Sequence, residues 1–166
     1  MKLLTYKLPG EEKERLGVMS SSEFEKFFPL EELGLQFQDM NDLIARVSPE
    51  EMEFMKKASC GLQGKTLNYK DVMHCAPIPH PHQDIICLGL NFMDHAEEST
   101  RYKKEVFQRE RTYAVYFSKR VNEAIGDGAK IPSYPGLVDS LDYEAELGVV
   151  LGKDAFQVKR EDAFDY

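Results

Sequence analysis

The chain has 166 residues, 42% of them hydrophobic, and its 29 acidic against 21 basic side chains give a net charge of −8. This length and composition suit one full domain, or a small domain and part of a second, and exclude a disordered chain. The acidic balance argues against nucleic acid or an anionic membrane as the main partner, and no apolar run approaches the roughly 18 residues of a membrane span. Three cysteines without C-x-x-C spacing indicate no disulfide framework, so we expect a cytoplasmic protein.

The first part of the chain, residues 1–76, predicts a small α/β domain. Its predicted elements are two strands that form a hairpin across a Pro-Gly turn and two helices, at residues 1–7, 14–20, 39–47 and 49–60. The second helix has the clearest start signal, because Ser48 can cap it and Pro49 suits its first position. Glu51 stands three residues after Ser48 and completes a capping box.

A proline-rich linker is predicted at residues 77–83, because its prolines are incompatible with a regular helix or a central strand. Residues 84–166 then predict part of a second domain. Its expected elements are a buried strand, a polar helix-prone stretch, a strand, a loop, another strand and the start of a helix, at residues 84–90, 94–111, 113–119, 126–136, 142–151 and 159–166. Cys87, within the first of these strands, is expected to be a small buried hydrophobic residue.

Two glutamates in the predicted strand 142–151 are candidate metal ligands. With a period of two residues, Glu144 and Glu146 share one face, and apolar side chains occupy the other. Their Cα atoms would lie about 7 Å apart, so the carboxylates repel each other unless water or a cation intervenes. A solvated sheet face is one interpretation, but the buried run that follows favours a metal site. Oxygen ligands alone select a hard ion, namely Mg²⁺, Mn²⁺ or Ca²⁺.

His95 and Glu98 form a candidate catalytic pair. They stand three residues apart in the helix-prone stretch, so on a helical turn they face the same way and can touch. A histidine held by a carboxylate keeps one tautomer and becomes more basic, as a general base requires. The alternative is an exposed His–Glu pair on a surface helix.

Lys119 is a candidate substrate-binding residue. It stands at the end of the predicted strand 113–119, where an ammonium group could hold a substrate carboxylate. A solvated lysine is the alternative interpretation.

Three segments resemble, in order, the motifs of the fumarylacetoacetate hydrolase family. They are IPHPHQDIICLGLNFMDHAEE, YFSKRVNEAIGDGAKI, and DYEAELGVVLGKDAFQV with EDAFDY. The resemblance is close over residues 77–166, and looser between the N-terminal part and the small leading domain of bacterial members. It implies an α+β fold, in which a small α/β domain precedes the first part of a mixed β-sandwich or roll.

The resemblance also implies a divalent metal, usually Mg²⁺, held by Glu144, Glu146 and a third acidic residue. It implies a dyad of His95 and Glu98 on a lid that orders over the substrate. The third ligand, an aspartate of an ND motif, and a catalytic lysine are expected beyond Tyr166. We therefore expect the 166-residue chain alone to be inactive and to bind metal weakly, and we expect the enzyme to be a homodimer.

The expected reaction is hydrolysis of a C–C bond in an acylpyruvate- or fumarylpyruvate-like 2,4-dioxo acid through a metal-stabilised enolate. His95, oriented by Glu98, would activate the attacking water. Decarboxylation or isomerisation of 2-oxo acids or 2-hydroxy-dienedioates in aromatic catabolism needs the same metal and a repositioned base. A non-catalytic fragment and a small-ligand binding module are the alternatives outside enzyme chemistry.

Overall fold

The computed structural model describes residues 1–61, 64–89 and 113–166. The chain forms two compact units, of which one comprises Met1–Pro79 with Ala124–Tyr166 and the other comprises His80–Glu123. Antiparallel strands and short helices occur together, which confirms the predicted α+β class. The division into residues 1–76, 77–83 and 84–166 stays a prediction.

A five-stranded antiparallel sheet organises the N-terminal part, with the spatial order β4-β3-β2-β1-β5. Its strands are β1 (Leu3–Lys7), β2 (Arg15–Met19), β3 (Lys26–Pro29), β4 (Leu67–Asn68) and β5 (Met73–His74). β1 and β2 pair with Leu3 opposite Val18 and Tyr6 opposite Arg15, which confirms the predicted hairpin. Gly10 in its connection has a φ of 81°, a left-handed conformation that favours glycine.

Two α-helices follow the first three strands, α1 (Met40–Arg46) and α2 (Pro49–Ser59). The predicted capping box of α2 is confirmed: the Glu51 amide donates to Ser48 Oγ at 3.1 Å, and the Ser48 amide donates to Glu51 Oε2 at 2.9 Å. These bonds satisfy amides that the first helical turn leaves without partners. In the described part of the chain, no helix is long and apolar enough to cross a membrane.

Loss of the capping box should be measurable as a loss of stability. We expect Ser48→Ala to lower the free energy of unfolding by about 1 kcal/mol, because the amide of Glu51 then loses its side-chain acceptor. Urea unfolding measures this loss. The control is Ser133→Ala, a change of the same type in an exposed loop. Equal stability of the two variants would contradict a stabilising role for Ser48.

The core consists of two clusters. The larger one joins the sheet to both helices and comprises Leu16, Val18, Phe28, Leu30, Met40, Leu43, Met55 and Ala58. The smaller cluster comprises Leu4, Tyr6 and Phe27. Alternation along β2 places Gly17 on the face opposite to Leu16 and Val18. A Cβ atom at Gly17 would lie 2.6 Å from the ring of Phe27, so the close packing of this ring requires glycine.

Ionisation of Tyr6 should make the free energy of unfolding depend on pH in the alkaline range. Its side chain is 1% exposed, and burial, with a smaller effect of Glu31, raises the pKa of Tyr6 to about 12. The phenol of the unfolded chain ionises near its ordinary pKa of 10.0, so the unfolded chain releases its proton first and stability falls as the pH rises from about 10 to about 12.

A Tyr6→Phe variant should lack this component, which amounts to about 1.4 kcal/mol per pH unit at most. Urea unfolding of both proteins at a series of pH values between about 9 and 11 measures the difference. An identical decline in the two proteins would show that Tyr6 is not the source.

The His80–Glu123 unit contains an antiparallel hairpin of β6 (Ile85–Gly89) and β7 (Val115–Lys119). Both strands were predicted, but the expected burial of the first is wrong except at Cys87, which is 7% exposed. Ile86 is 67% and Tyr116 66% exposed. Within the described residues this sheet has two strands only, and two strands cannot cover apolar side chains on both of their faces.

The segment after Glu123 begins against β5. Ala124 donates its amide to the carbonyl of Pro79 at 2.7 Å, and the backbone at Gly126 lies so close to the His74 carbonyl that a Cβ would be 2.0 Å from its oxygen. Only glycine fits this approach without displacing β5. Residues 126–136 carry no helix or strand, as predicted.

The predicted strand at residues 142–151 is absent from the structure, which shows no regular secondary structure there. Tyr143, Leu147 and Val149, which were expected to face a core, are 88%, 86% and 79% exposed. A strand requires a hydrogen-bonded neighbour, and none of the seven described strands pairs with this segment. The predicted terminal helix is a short 3₁₀ helix at Arg160–Asp165.

Candidate functional site

The candidate dyad of His95 and Glu98 lies outside the described residues. In the chain it belongs to the connection between the end of β6 at Gly89 and the start of β7 at Val115. The assignment of these two residues as general base and orienting carboxylate therefore stays a prediction.

Lys119 is the last residue of β7 and pairs opposite Ile85. Its side chain is exposed, and its ammonium nitrogen lies 5.8 Å from the ring centroid of Phe117, two residues earlier on the same face. Near the same end of the hairpin, Nδ1 of His80 donates to the carbonyl of Asn122 at 3.1 Å. An exposed ammonium at a strand end can pair with a carboxylate, but a substrate-binding role for Lys119 stays a prediction.

Glu144 and Glu146 lie in the segment that lacks regular structure, and both are exposed. The shared strand face on which the prediction placed them is therefore not present. Carboxylate oxygens are the ligands that Mg²⁺ prefers, so these two side chains are of the chemical type that binds a hard divalent ion. Residues 1–61, 64–89 and 113–166 contain no group of three or more His, Cys, Asp or Glu side chains that could hold a metal.

Two carboxylates of the N-terminal part show lowered pKa values with structural causes. The Arg46 guanidinium, which Asp42 binds with both oxygens, holds the pKa of Asp42 at about 2. Hydrogen bonds from the backbone and hydroxyl of Ser48 lower the pKa of Glu51. An ion pair and a helix cap explain these shifts, so neither carboxylate is a candidate for proton transfer.

A cavity of about 570 Å³ in the N-terminal part was not predicted from the sequence. Leu16 and Leu30 lie at its apolar wall, and Lys13, Phe37 and Arg46 line it as well. These residues come from β2, from loops and from the end of α1, so their proximity depends on the tertiary fold. The only local signal is the alternation of amide and apolar side chains in LQFQ, at residues 35–38.

Comparisons with known proteins place the chain in a family. Residues 84–166, half of the chain, match the family described as fumarylacetoacetate (FAA) hydrolase C-terminal. Oxaloacetate tautomerase YisK of Bacillus subtilis (strain 168) is 35% identical over 114 residues, which cover 69% of this chain and 36% of that protein. An uncharacterized protein of Staphylococcus aureus (strain USA300) is 35% identical over 107 residues, which cover 62% of this chain and 33% of that protein.

The chain thus spans about a third of the length of the curated relatives that it matches. The range that matches the family contains all the candidate site residues, namely His95, Glu98, Lys119, Glu144 and Glu146. The chain belongs to the fumarylacetoacetate hydrolase family.

Proposed function

We propose that the protein carrying this chain is an enzyme that moves a proton between C3 and the C2 oxygen of a small 2-oxo acid. The observation that carries the proposal is the family match over residues 84–166, which includes every candidate catalytic and ligand residue. The name of the relative from Bacillus subtilis, an oxaloacetate tautomerase, favours keto–enol interconversion among the reactions that share this step.

In this reaction His95 takes a proton from C3, and the electron pair of the C–H bond moves into the C2–C3 bond while the C2 oxygen becomes negative. The same proton is then delivered to that oxygen, so no water is consumed and no carbon–carbon bond breaks. Glu98, three residues along the chain, would orient the imidazole and stabilise its charged form. The reverse sequence converts the enol into the ketone.

Glu144 and Glu146 are the residues that would hold a divalent metal, with Mg²⁺ as the first choice and Mn²⁺ or Ca²⁺ as alternatives. When bound, the metal would supply a Lewis acid for the negative charge that develops on the substrate. Lys119 would bind the substrate carboxylate through its exposed ammonium group.

A second candidate is hydrolysis of a C–C bond in an acylpyruvate, which the description of the matching family favours. Here His95 would take a proton from water, the hydroxide would add to the distal carbonyl, and the bond from that carbon to C3 would break. The products are a carboxylic acid and the enol of pyruvate, which then takes up a proton at C3. Decarboxylation, isomerisation of a 2-hydroxy-dienedioate and a non-catalytic role are the remaining alternatives.

Product analysis by NMR of the full-length protein distinguishes these reactions. Tautomerisation of the enol of oxaloacetate conserves all carbons, hydrolysis of acetylpyruvate gives acetate and pyruvate, and decarboxylation releases carbon dioxide. We expect faster keto–enol interconversion than in buffer. Absence of turnover of both substrates would contradict the proposal and favour a non-catalytic role.

We further propose that the protein acts in the cytoplasm as a homodimer and completes a β-sandwich or roll of the family type. Exposed apolar side chains support the homodimer and the β-sandwich or roll. Leu147 and Phe156 are 86% and 85% exposed and require a covering surface. The net charge of −8 supports a small-molecule substrate rather than nucleic acid or a membrane surface as the partner.

A further inference from the structure

The cavity near the start of β2 lies in a part of the chain outside the family match. Its volume of about 570 Å³ is within the range of small-molecule sites. Its wall is mixed: Leu16, Leu30, Leu35 and Phe37 form the apolar part, and the remaining lining residues are charged or carry side-chain amides. A mixed wall of this kind suits a small organic molecule that has an apolar part and a polar group.

The acidic side chains around the cavity are already paired with cations. Arg15 donates to Glu31 at 2.5 Å and to Glu11 at 2.8 Å. Arg46 donates to both carboxylate oxygens of Asp42, and Lys7 lies 4.0 Å from Glu14. Neighbouring cations partly neutralise these carboxylates, so the acidic side chains do not dominate the electrostatic potential at the cavity.

Hydrogen-bond donors remain at the same cavity. The ammonium of Lys13 is 4.0 Å from its nearest carboxylate partner, Glu31, and its side chain is 67% exposed. In the described part of the chain, the Nη1 amino group of Arg46 and the side-chain amides of Gln36 and Gln38 make no hydrogen bond. The buried Nε of Arg15 also lacks a partner among these residues. The glutamine amides can donate or accept, whereas the ammonium of Lys13 and the guanidinium nitrogens donate only, so the charged donors at the cavity favour an anion.

The position of Arg46 adds a preference for a flat ligand. Its guanidinium carbon lies over the Phe37 ring, 5.2 Å from the ring centroid, so the two side chains form a cation–π pair at the cavity. A flat apolar body can contact the ring while its carboxylate receives hydrogen bonds from the guanidinium and from Lys13.

We propose that this cavity binds a small aromatic carboxylate, with Lys13 and Arg46 as the groups that recognise the carboxylate and Phe37 as the contact for the ring. The probe is benzoate, titrated into the full-length protein and followed by ligand-observed NMR and calorimetry. Benzamide has the same shape without the charge, and acetate has the charge without the ring. We expect benzoate to bind more tightly than either.

Variants of the two cavity cations, together with a control outside the cavity, test the proposed recognition of the carboxylate. We expect Lys13→Gln and Arg46→Lys each to weaken benzoate binding by about 3- to 10-fold, because each removes a charge-assisted hydrogen bond at a partly exposed site. The control is Lys57→Gln, which removes an exposed cation of α2 that does not line the cavity and should leave binding unchanged. Lys13 lies in an exposed loop, so its variant tests the site even if Arg46→Lys disturbs α1.

Three results would each overturn the proposal. These are equal binding of benzoate and benzamide, unchanged benzoate binding in both Lys13→Gln and Arg46→Lys, and absence of benzoate binding at concentrations of tens of millimolar. A loss of binding in Lys57→Gln as large as in Lys13→Gln would show a general charge effect, which also contradicts recognition by this cavity.

Discussion

Replacing His95 with alanine in the full-length protein should lower the turnover of a 2-oxo acid by about 10²- to 10⁴-fold, the usual contribution of a positioned general base. The proposed proton transfer at C3 needs a group that accepts the proton, and alanine leaves only water for this step. Steady-state kinetics of wild type and variant measure the loss, and an unchanged urea unfolding curve shows that the fold is intact.

His82→Ala is the matched control, because His82 is an exposed histidine that precedes the range matching the family. Its activity should equal that of the wild type. Turnover by His95→Ala within about threefold of the wild type would remove His95 from the mechanism, since general bases contribute far more than this factor. Glu98→Gln should give a smaller loss, because it leaves the imidazole in place but removes the charge that stabilises it.

Replacing Phe27 with alanine should lower the free energy of unfolding by about 3 to 5 kcal/mol, as in other truncations of a buried aromatic side chain. Phe27 is 0% exposed and packs edge-to-face on Tyr6, with 4.7 Å between the ring centroids. Its ring also lies directly over Gly17, so the truncation leaves a space that the rigid β1–β2–β3 backbone cannot close.

Phe24→Ala is the comparison, because Phe24 is 77% exposed and lies three residues earlier in the same chain segment. Its free energy of unfolding should change by about 0.5 kcal/mol or less. Urea unfolding of the two variants gives the difference directly. A loss below about 1 kcal/mol for Phe27→Ala would contradict the described packing around Tyr6.

The N-terminal elements could be predicted because their signals are local. Ser48, Pro49 and Glu51 specify the start of α2 within four residues, and the capping bonds form as expected. The Pro-Gly turn likewise specifies the β1–β2 hairpin, since a tight turn brings adjacent segments together. The pairing of β1 with β5 joins residues far apart in the chain and was not predicted.

The prediction of a strand at residues 142–151 is wrong, because a strand depends on a pairing partner and not only on local signals. Its alternating pattern shows which residues would share a face, but a strand forms only where another strand pairs with it. The described residues supply no such partner, so Leu147 and Val149 remain exposed and Glu144 and Glu146 have no common strand face. Glu144 and Glu146 are candidate ligands because of the resemblance and because carboxylates bind hard divalent ions.

The cavity near β2 illustrates a further limit of sequence patterns. Lys13 and Arg46 are more than thirty residues apart, and neither stands in a recognisable motif. Their common cavity arises because β2 and the end of α1 pack on the same cluster of buried side chains. Such a site becomes visible only once the fold is known.

The most direct test of metal-assisted proton transfer is hydrogen exchange at C3 of a 2-oxo acid, followed by NMR in deuterated water with the full-length protein and Mg²⁺. We expect exchange above the uncatalysed rate, its loss when a chelator removes the metal, and a decrease of about 100-fold or more in the double variant Glu144→Gln, Glu146→Gln. Glu161→Gln, in the exposed 3₁₀ helix, should exchange like the wild type. Exchange that persists unchanged in the double variant and in the presence of the chelator would contradict the proposed function.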